Sequence, residues 1–125
     1  MLIVPGGDPG YRNLLENECV LALIREFDAE EKWIAAICAA PLVLKAAGVL
    51  AGKRHTSYPD MRVEFDPEYY SDDLVVCDGR LITSRGPTSA IEFSFALIEA
   101  LMPERVVQLL KDKTLYGLTL DWLRR

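Results

Sequence analysis

The chain has 125 residues, a formal net charge of −5 at pH 7, and a composition that is 50% hydrophobic and 26% charged. This length suits one domain with a hydrophobic core, over residues 1–125, and is too short for two. The acidic balance excludes the basic footprint of a nucleic-acid-binding protein, and no apolar run approaches the roughly 18 residues of a membrane-spanning helix.

The three cysteines are odd in number and lack the CxxC or Cys/His spacing of metal sites. We therefore expect neither a disulfide framework nor a zinc site. The amino terminus also lacks the basic flank and cleavage site of a signal peptide, and these features favour a reducing, cytoplasmic compartment. Cys19 and Cys77 are interpreted as buried core residues, the usual state of a cysteine in an apolar context.

The first elements are an apolar strand at Met1–Val4 and the Pro-Gly-Gly turn that follows it. A helix is predicted over residues 17–28, with Asn17 as a possible N-cap. Its apolar face carries Val20, Ile24 and Phe27. The strand has almost no chain before it, so we expect this sequence to start part-way through a fold.

An apolar run at Trp33–Ile37 ends abruptly at Cys38, and Ala39, Ala40 and Pro41 follow. Such a run is typical of a buried, parallel strand. Pro41 suits the first position of a helix, where its missing N–H costs nothing, and Gly48 suits that helix's end. Cys38 is therefore predicted in a tight turn between a strand and a helix.

The middle of the chain contains a short predicted strand at His55–Tyr58 and an acidic, aromatic loop over residues 60–72. A hairpin is predicted beyond it, because Asp78-Gly79 separates two apolar runs, Leu74–Cys77 and Leu81–Thr83.

Two helices are predicted near the carboxyl end. Ser89 and Glu92 have capping-box spacing, and a stripe predicted to face the core follows: Ile91, Phe95, Ile98 and Met102. A second helix starts at Pro103, with Val106, Val107 and Leu110 inward. No period is evident beyond it, and Trp33 and Trp122 are interpreted as packing residues.

The alternation of strands and helices, with a late hairpin, predicts a three-layer α/β fold with a mostly parallel sheet. Ligands bind such sheets beyond the carboxyl ends of the strands. The Gly6-Gly7 turn and Cys38 both follow strands, so we expect them on the same rim.

The Cys38 turn is suited to nucleophilic chemistry. The positive end of a helix dipole and its free amides favour a thiolate, which is the reactive form. The Ala39 amide, with one from Gly6 or Gly7, would stabilise an oxyanion. The alternative is that Cys38 is an inert core residue.

Four blocks of sequence resemble the ThiJ/PfpI family in order and spacing over about residues 2–110. They are Val4–Gly7, Ala35–Pro41, Ala47–Lys53 and Leu81–Pro87. The resemblance implies a flavodoxin-like sandwich, usually dimeric, in a family of glyoxalases, proposed deglycases, peptidases, chaperones and oxidative-stress sensors. It also implies a nucleophile at Cys38 and oxyanion-hole amides at Gly7 and Ala39.

The chain departs from the family pattern in two places. The family glutamate that hydrogen-bonds the cysteine lies in an N-terminal strand and helix that this sequence lacks. Tyr58 stands where many members have histidine, and a tyrosine is a poor general base at neutral pH but can donate a hydrogen bond. His55 is three residues away, an odd offset along a strand, so it is interpreted as surface or structural.

The leading hypothesis is a ThiJ/PfpI-like protein that acts on small reactive carbonyls through Cys38, with Gly7, Ala39 and Tyr58 at the site and no cofactor or metal. Low activity is expected without the glutamate. Alternatives are a non-enzymatic stress sensor or chaperone and an intracellular cysteine peptidase; a glutamine amidotransferase lacks its His-x-Glu pair here.

An uncovered apolar strand edge favours a homo-oligomer, either a dimer or a swapped assembly. Three loop acids are interpreted as surface charges: Asp8, Asp60 and Glu64.

Overall fold

The computed structural model describes all 125 residues, in two compact units, Met1–Phe93 and Ser94–Arg125. The strands are β1 (Leu2–Val4), β2 (Ile34–Ile37), β3 (Val75–Asp78) and β4 (Leu81–Ser84). The helices are α1 (Gly10–Leu15), α2 (Glu18–Ala29), α3 (Pro41–Ala47), α4 (Ala90–Leu101), α5 (Glu104–Lys113) and α6 (Tyr116–Leu123). Short 3-10 helices cover Pro59–Glu64 and Pro87–Ser89. None of the helices combines the length and apolar character needed to cross a bilayer.

The four strands form one sheet in the order β1-β2-β4-β3. Strands β1, β2 and β4 are parallel, and β3 runs antiparallel to β4 as the first half of a hairpin. The register places Val4 opposite Ala36 and Ile37 opposite Ser84. The predicted α/β fold with a mostly parallel sheet is confirmed.

Local signals place the ends of the helices around the sheet. The Asn17 side chain accepts hydrogen bonds from the backbone N–H groups of Cys19 and Val20, at 3.0 and 3.3 Å, and so starts α2. Pro41 begins α3, and Gly48 ends it with a φ of +81°. This left-handed conformation favours glycine at a helix end.

The core of the first unit lies where α2 and α3 cover β2. Ile34, Ala35 and Ala36 are all buried, and consecutive burial requires cover on both faces of the strand. This arrangement explains why the strand appears in sequence as an unbroken apolar run. The largest residues sealed beside it are Ile24, Val43 and Leu44.

The structure contains two helices that were not predicted, and one predicted strand is wrong. Helix α1 was missed because Gly10 at its start has a low helix propensity and the run Pro5–Gly10 is typical of a turn; α6 was missed because it lacks a clear apolar period. The strand predicted at His55–Tyr58 is wrong, since only an isolated bridge joins His55 to Tyr70. Pro59, which cannot donate a ladder hydrogen bond, instead starts a 3-10 helix.

Several predictions of burial are also wrong. Cys19 and Cys77 are exposed. In the predicted core stripe of α4, Ile91 and Met102 are more than half exposed, and Trp122 in α6 is 71% exposed. Helical spacing identifies which residues share a face of a helix. It does not show how far along the helix other residues pack against that face, and Ile91 and Met102 lie at the two ends of the stripe.

The second unit has a small apolar centre of its own. The rings of Phe95 and Tyr116 lie 4.6 Å apart, which is within the range of favourable aromatic packing. Val107 on α5 is buried, as predicted. An ion pair between Lys111 and Glu99 joins α5 to α4 at 2.7 Å.

The core packing can be tested with two neighbours on α2. Ile24 is fully buried, whereas Leu23 is 41% exposed. We expect Ile24→Ala to lower the free energy of unfolding by about 2–5 kcal/mol through lost burial and a cavity. Leu23→Ala is the control and should change it by less than about 1 kcal/mol. Urea unfolding measures both, and equal losses would contradict the assigned orientation of α2.

The edge of the sheet provides a test of the predicted homo-oligomer. β1 is an edge strand, and Ile3 on it is 51% exposed. An uncovered apolar edge favours association, and a lysine on such an edge opposes it. We therefore expect light scattering at micromolar concentration to give at least twice the mass of one chain, and Ile3→Lys to reduce that mass. A monodisperse monomer would contradict the prediction.

Candidate functional site

Cys38 occupies a strained backbone position between β2 and α3. Its φ is +66°, a conformation that residues with a side chain rarely adopt. Strain of this kind persists only when the surrounding structure enforces it, and it is concentrated at functional sites. The residue is half-buried. The predicted tight turn is therefore present, with the cysteine at its apex.

Both backbone polar groups of Cys38 are hydrogen-bonded to other segments. Its N–H donates to the Ser84 carbonyl at 2.9 Å, and its carbonyl accepts from the Tyr58 N–H at 2.8 Å. The first bond continues the pairing of β2 with β4, in which Ile37 lies opposite Ser84. The second attaches the loop of Tyr58 directly to the turn.

The Pro-Gly-Gly turn after β1 packs against the same turn. A Cβ added to Gly6 would lie 2.7 Å from the Ile37 carbonyl oxygen and 2.8 Å from Cys38 Cβ. Those distances are too short for any side chain, so only glycine allows this approach. Gly7 follows with a φ of +93°. The structure thus brings the glycine turn to the cysteine, with Gly6 as the contacting residue.

Tyr58 and Ala39 complete the set of predicted site residues. Ala39 is buried directly after Cys38. The Tyr58 ring is 40% exposed and lies beside Gly86, where an added Cβ would be 3.6 Å from Tyr58 Cδ2. The loop of Gly86 is in turn fixed by Ser89, whose hydroxyl accepts a hydrogen bond from the Gly86 N–H at 3.0 Å.

His55 is buried rather than on the surface, so of its two interpretations only the structural one fits. Its Nδ1 lies 2.7 Å from the Lys53 carbonyl oxygen. A carbonyl can only accept, so Nδ1 carries the proton. The ring packs against Phe65 and Tyr70, at centroid distances of 5.0 and 6.0 Å. It anchors the loop that follows α3.

The loop acids have the surface positions that were predicted. Asp60 and Glu64 are exposed. The Asp8 carboxylate pairs with Arg12 at 3.1 Å. Hydrogen bonding to Asp8 raises the pKa of the Arg12 guanidinium. No group of three or more His, Cys, Asp or Glu side chains is placed to hold a metal ion.

An arginine-carboxylate cluster beside the site was not foreseen. Asp72 accepts two hydrogen bonds from Arg62, at 2.9 and 3.1 Å, and pairs with Arg85 at 3.4 Å. Arg85 also donates to the Asp72 carbonyl at 2.7 Å. We call these three residues the Asp72 clamp. The three residues come from separate segments of the chain and follow no regular spacing in the sequence, so the sequence contains no signal that could have indicated the clamp.

A cavity of about 450 Å³ lies at the opposite end of the sheet, where Ile34 and Leu81 begin β2 and β4. Its charged wall includes an Asp28–Lys53 pair at 2.5 Å. Because ligands of parallel sheets bind beyond the carboxyl ends of the strands, we place the candidate site at Cys38 instead.

Comparison with known proteins gives a consistent result. The profile of the DJ-1/PfpI family matches residues 1–100. Protein dj-1beta of Drosophila melanogaster is 43% identical over 110 residues, which cover 86% of this chain and 59% of that protein. The glutathione-independent glyoxalase DJR-1.2 of Caenorhabditis elegans is 38% identical, over 89% of this chain and 60% of its own.

Solved structures agree with these matches. The crystal structure of Drosophila melanogaster DJ-1beta superimposes with a TM-score of 0.83 at 41% identity, over 90% of this chain and 63% of that one. Schizosaccharomyces pombe DJ-1 gives a TM-score of 0.81 at 32% identity, over 89% and 60%. The chain thus spans about 60% of the length of these relatives.

The close approach of the glycine turn can be tested with two substitutions. Gly6→Ala places a methyl group against Cys38 and Ile37, and we expect it to lower the free energy of unfolding by about 1–3 kcal/mol, the usual cost of overpacking. Gly10→Ala is the control, because a Cβ there meets no atom within 4 Å. Thermal unfolding compares the two. A harmless Gly6→Ala would show that the turn does not pack on Cys38.

Proposed function

The chain belongs to the DJ-1/PfpI family, and on that premise we propose that it acts on small reactive carbonyl compounds, with Cys38 as the nucleophile. The flavodoxin-like fold of this family is shared. The substrate class and the role of Cys38 are our proposal, supported by the geometry at the end of β2.

The observation that carries the proposal is the positive φ of Cys38. A strand-turn-helix that places a nucleophile at its apex exposes the reactive atom at the edge of the sheet. Here the hydrogen bonds of the Cys38 N–H and carbonyl, together with the contact of Gly6, maintain that conformation. A merely structural cysteine needs none of this, because a small buried residue packs equally well without strain.

The chemistry begins with addition of the Cys38 thiolate to an aldehyde carbon. A sulfur–carbon bond forms, the carbonyl π bond breaks, and its electron pair moves to the oxygen, which gives a hemithioacetal after protonation. The backbone N–H groups of Ala39 and Gly7 stabilise the developing oxyanion. Tyr58 contributes a hydrogen-bond donor at the same rim, and no metal or cofactor takes part.

A relative supports this choice of substrate. The Caenorhabditis elegans protein named as a glutathione-independent glyoxalase is 38% identical over 114 residues. Its name describes a glyoxalase that is independent of glutathione, and a protein thiolate such as that of Cys38 would supply the sulfur nucleophile in place of glutathione. We therefore choose methylglyoxal as the first substrate to test.

The role of Cys38 is tested by its replacement with serine. We expect Cys38→Ser to abolish methylglyoxal consumption by this chain, because a hydroxyl lacks the nucleophilicity of a thiolate. Cys19→Ser is the control, since Cys19 is exposed on α2, and it should leave the rate unchanged. The measurement is loss of methylglyoxal with time.

Tyr58→Phe tests the hydrogen-bond donor at the same site and should lower the rate by about two- to tenfold, the range for loss of one hydrogen bond. Unchanged turnover in Cys38→Ser would contradict the nucleophilic role. If the wild-type chain is inactive but mild peroxide adds oxygen selectively at Cys38, detected by mass spectrometry, the result supports the redox-sensor alternative instead.

A further inference from the structure

The Asp72 clamp connects the two segments that hold the backbone of Cys38. One segment is the loop of Tyr58, whose N–H donates to the Cys38 carbonyl; Arg62 follows in the 3-10 helix that Pro59 begins. The other is the end of β4, where the Ser84 carbonyl accepts from the Cys38 N–H and Arg85 comes next.

Asp72 lies between these segments and bonds to both. Its carboxylate receives two hydrogen bonds from one guanidinium nitrogen of Arg62, and a nitrogen of Arg85 approaches it at 3.4 Å. The Arg85 bond to the Asp72 carbonyl adds a contact of 2.7 Å. The Arg62 guanidinium also lies over the Tyr70 ring, 5.3 Å from its centroid.

The three clamp residues are not equally exposed, and this affects what the cluster does. Arg62 and Asp72 are more than half exposed, but the Arg85 side chain is only 20% exposed. Isolated surface ion pairs contribute little to stability. The contribution of this cluster is therefore geometric. Its directed bonds hold the 3-10 helix of Arg62 against the loop that follows β4, in addition to one buried bond from the Thr56 N–H to Thr83 Oγ1 at 3.0 Å.

We propose that the Asp72 clamp is a positioning device that keeps Cys38 in its strained conformation and so sets the reactivity of its thiol. Strain at φ +66° must be maintained by the surroundings. Ser84 is held in the sheet by its pairing with β2 and β3, so the clamp acts through the loop of Tyr58. If the clamp opens, that loop is less restrained against the end of β4, and the Cys38 carbonyl loses the fixed position of its donor. The sulfur and the Ala39 amide then lose their common orientation.

The test replaces Asp72 with asparagine, which keeps the shape and removes the charge. The control is Asp73→Asn, an equal change of charge one residue away, at a residue that pairs with Arg54 at 3.7 Å outside the clamp. The first measurement is the rate of Cys38 alkylation by iodoacetamide, read by mass spectrometry of the Cys38 peptide. This measurement does not depend on any enzymatic activity.

We expect Asp72→Asn to slow alkylation of Cys38 by about three- to tenfold, the range of coupling within an ion-pair network. Asp73→Asn should leave the rate unchanged, and Asp72→Glu should restore most of it. Alkylation of exposed Cys19 is the internal standard. Urea unfolding should give similar stabilities for both asparagine variants, which separates positioning from general loss of structure.

The second measurement rests on the proposed function. If the chain consumes methylglyoxal, Asp72→Asn should lower kcat with little change in KM, because the clamp acts on the reacting groups and not on substrate binding. If the wild type shows no turnover, the alkylation result still decides the positioning role. Equal alkylation rates in Asp72→Asn and Asp73→Asn would overturn the proposal.

Discussion

The candidate site depends on the backbone of one residue, Cys38, at a φ of +66°. A residue with a side chain rarely adopts this conformation. The support comes from three directions: a carbonyl of β4, an N–H of the Tyr58 loop and the bare backbone of Gly6. The rest of the first unit can be understood as the framework that brings these three together.

Small residues allow that convergence. Ala35 and Ala36 fill the middle of β2 and are fully buried, so neighbouring layers approach the strand closely. Gly6 allows the turn after β1 to touch the strand end, where no Cβ fits. Large side chains lie further from the turn, in α2 and α3, where Ile24 and Leu44 provide apolar burial. Different parts of one core thus provide apolar burial, in α2 and α3, and the close approach of backbone segments, at β2 and the glycine turn.

The sequence predicted features that depend on neighbouring residues. The hairpin at Asp78-Gly79, the Asn17 cap and the turn at Cys38 each follow from a few consecutive side chains and their preferred backbone conformations. Family resemblance selected Gly7 over Gly6 and added Tyr58; both lie in segments that contact the turn, and their chemical roles stay predictions.

The features that could not be predicted from the sequence depend on contacts between residues far apart in the chain. Whether His55 is buried is decided by Phe65 and Tyr70. The same holds for Ile91, Met102 and Trp122, whose apolar character does not reveal that they are more than half exposed. The Asp72 clamp joins three loops, and no periodicity relates its members. Such contacts exist only once the chain has folded.

The hydrogen bond from Cys38 to Ser84 has a consequence for the order of folding. Its two partners are separated by 46 residues, from position 38 to position 84, and closing so long a loop carries a large entropic cost before any contact repays it. During synthesis from the amino terminus, β2 and α3 emerge well before β4. The thiol therefore spends a period attached to an unfinished sheet, relaxed and without its final orientation. The Cys38 backbone reaches its final conformation only when the last parallel strand arrives.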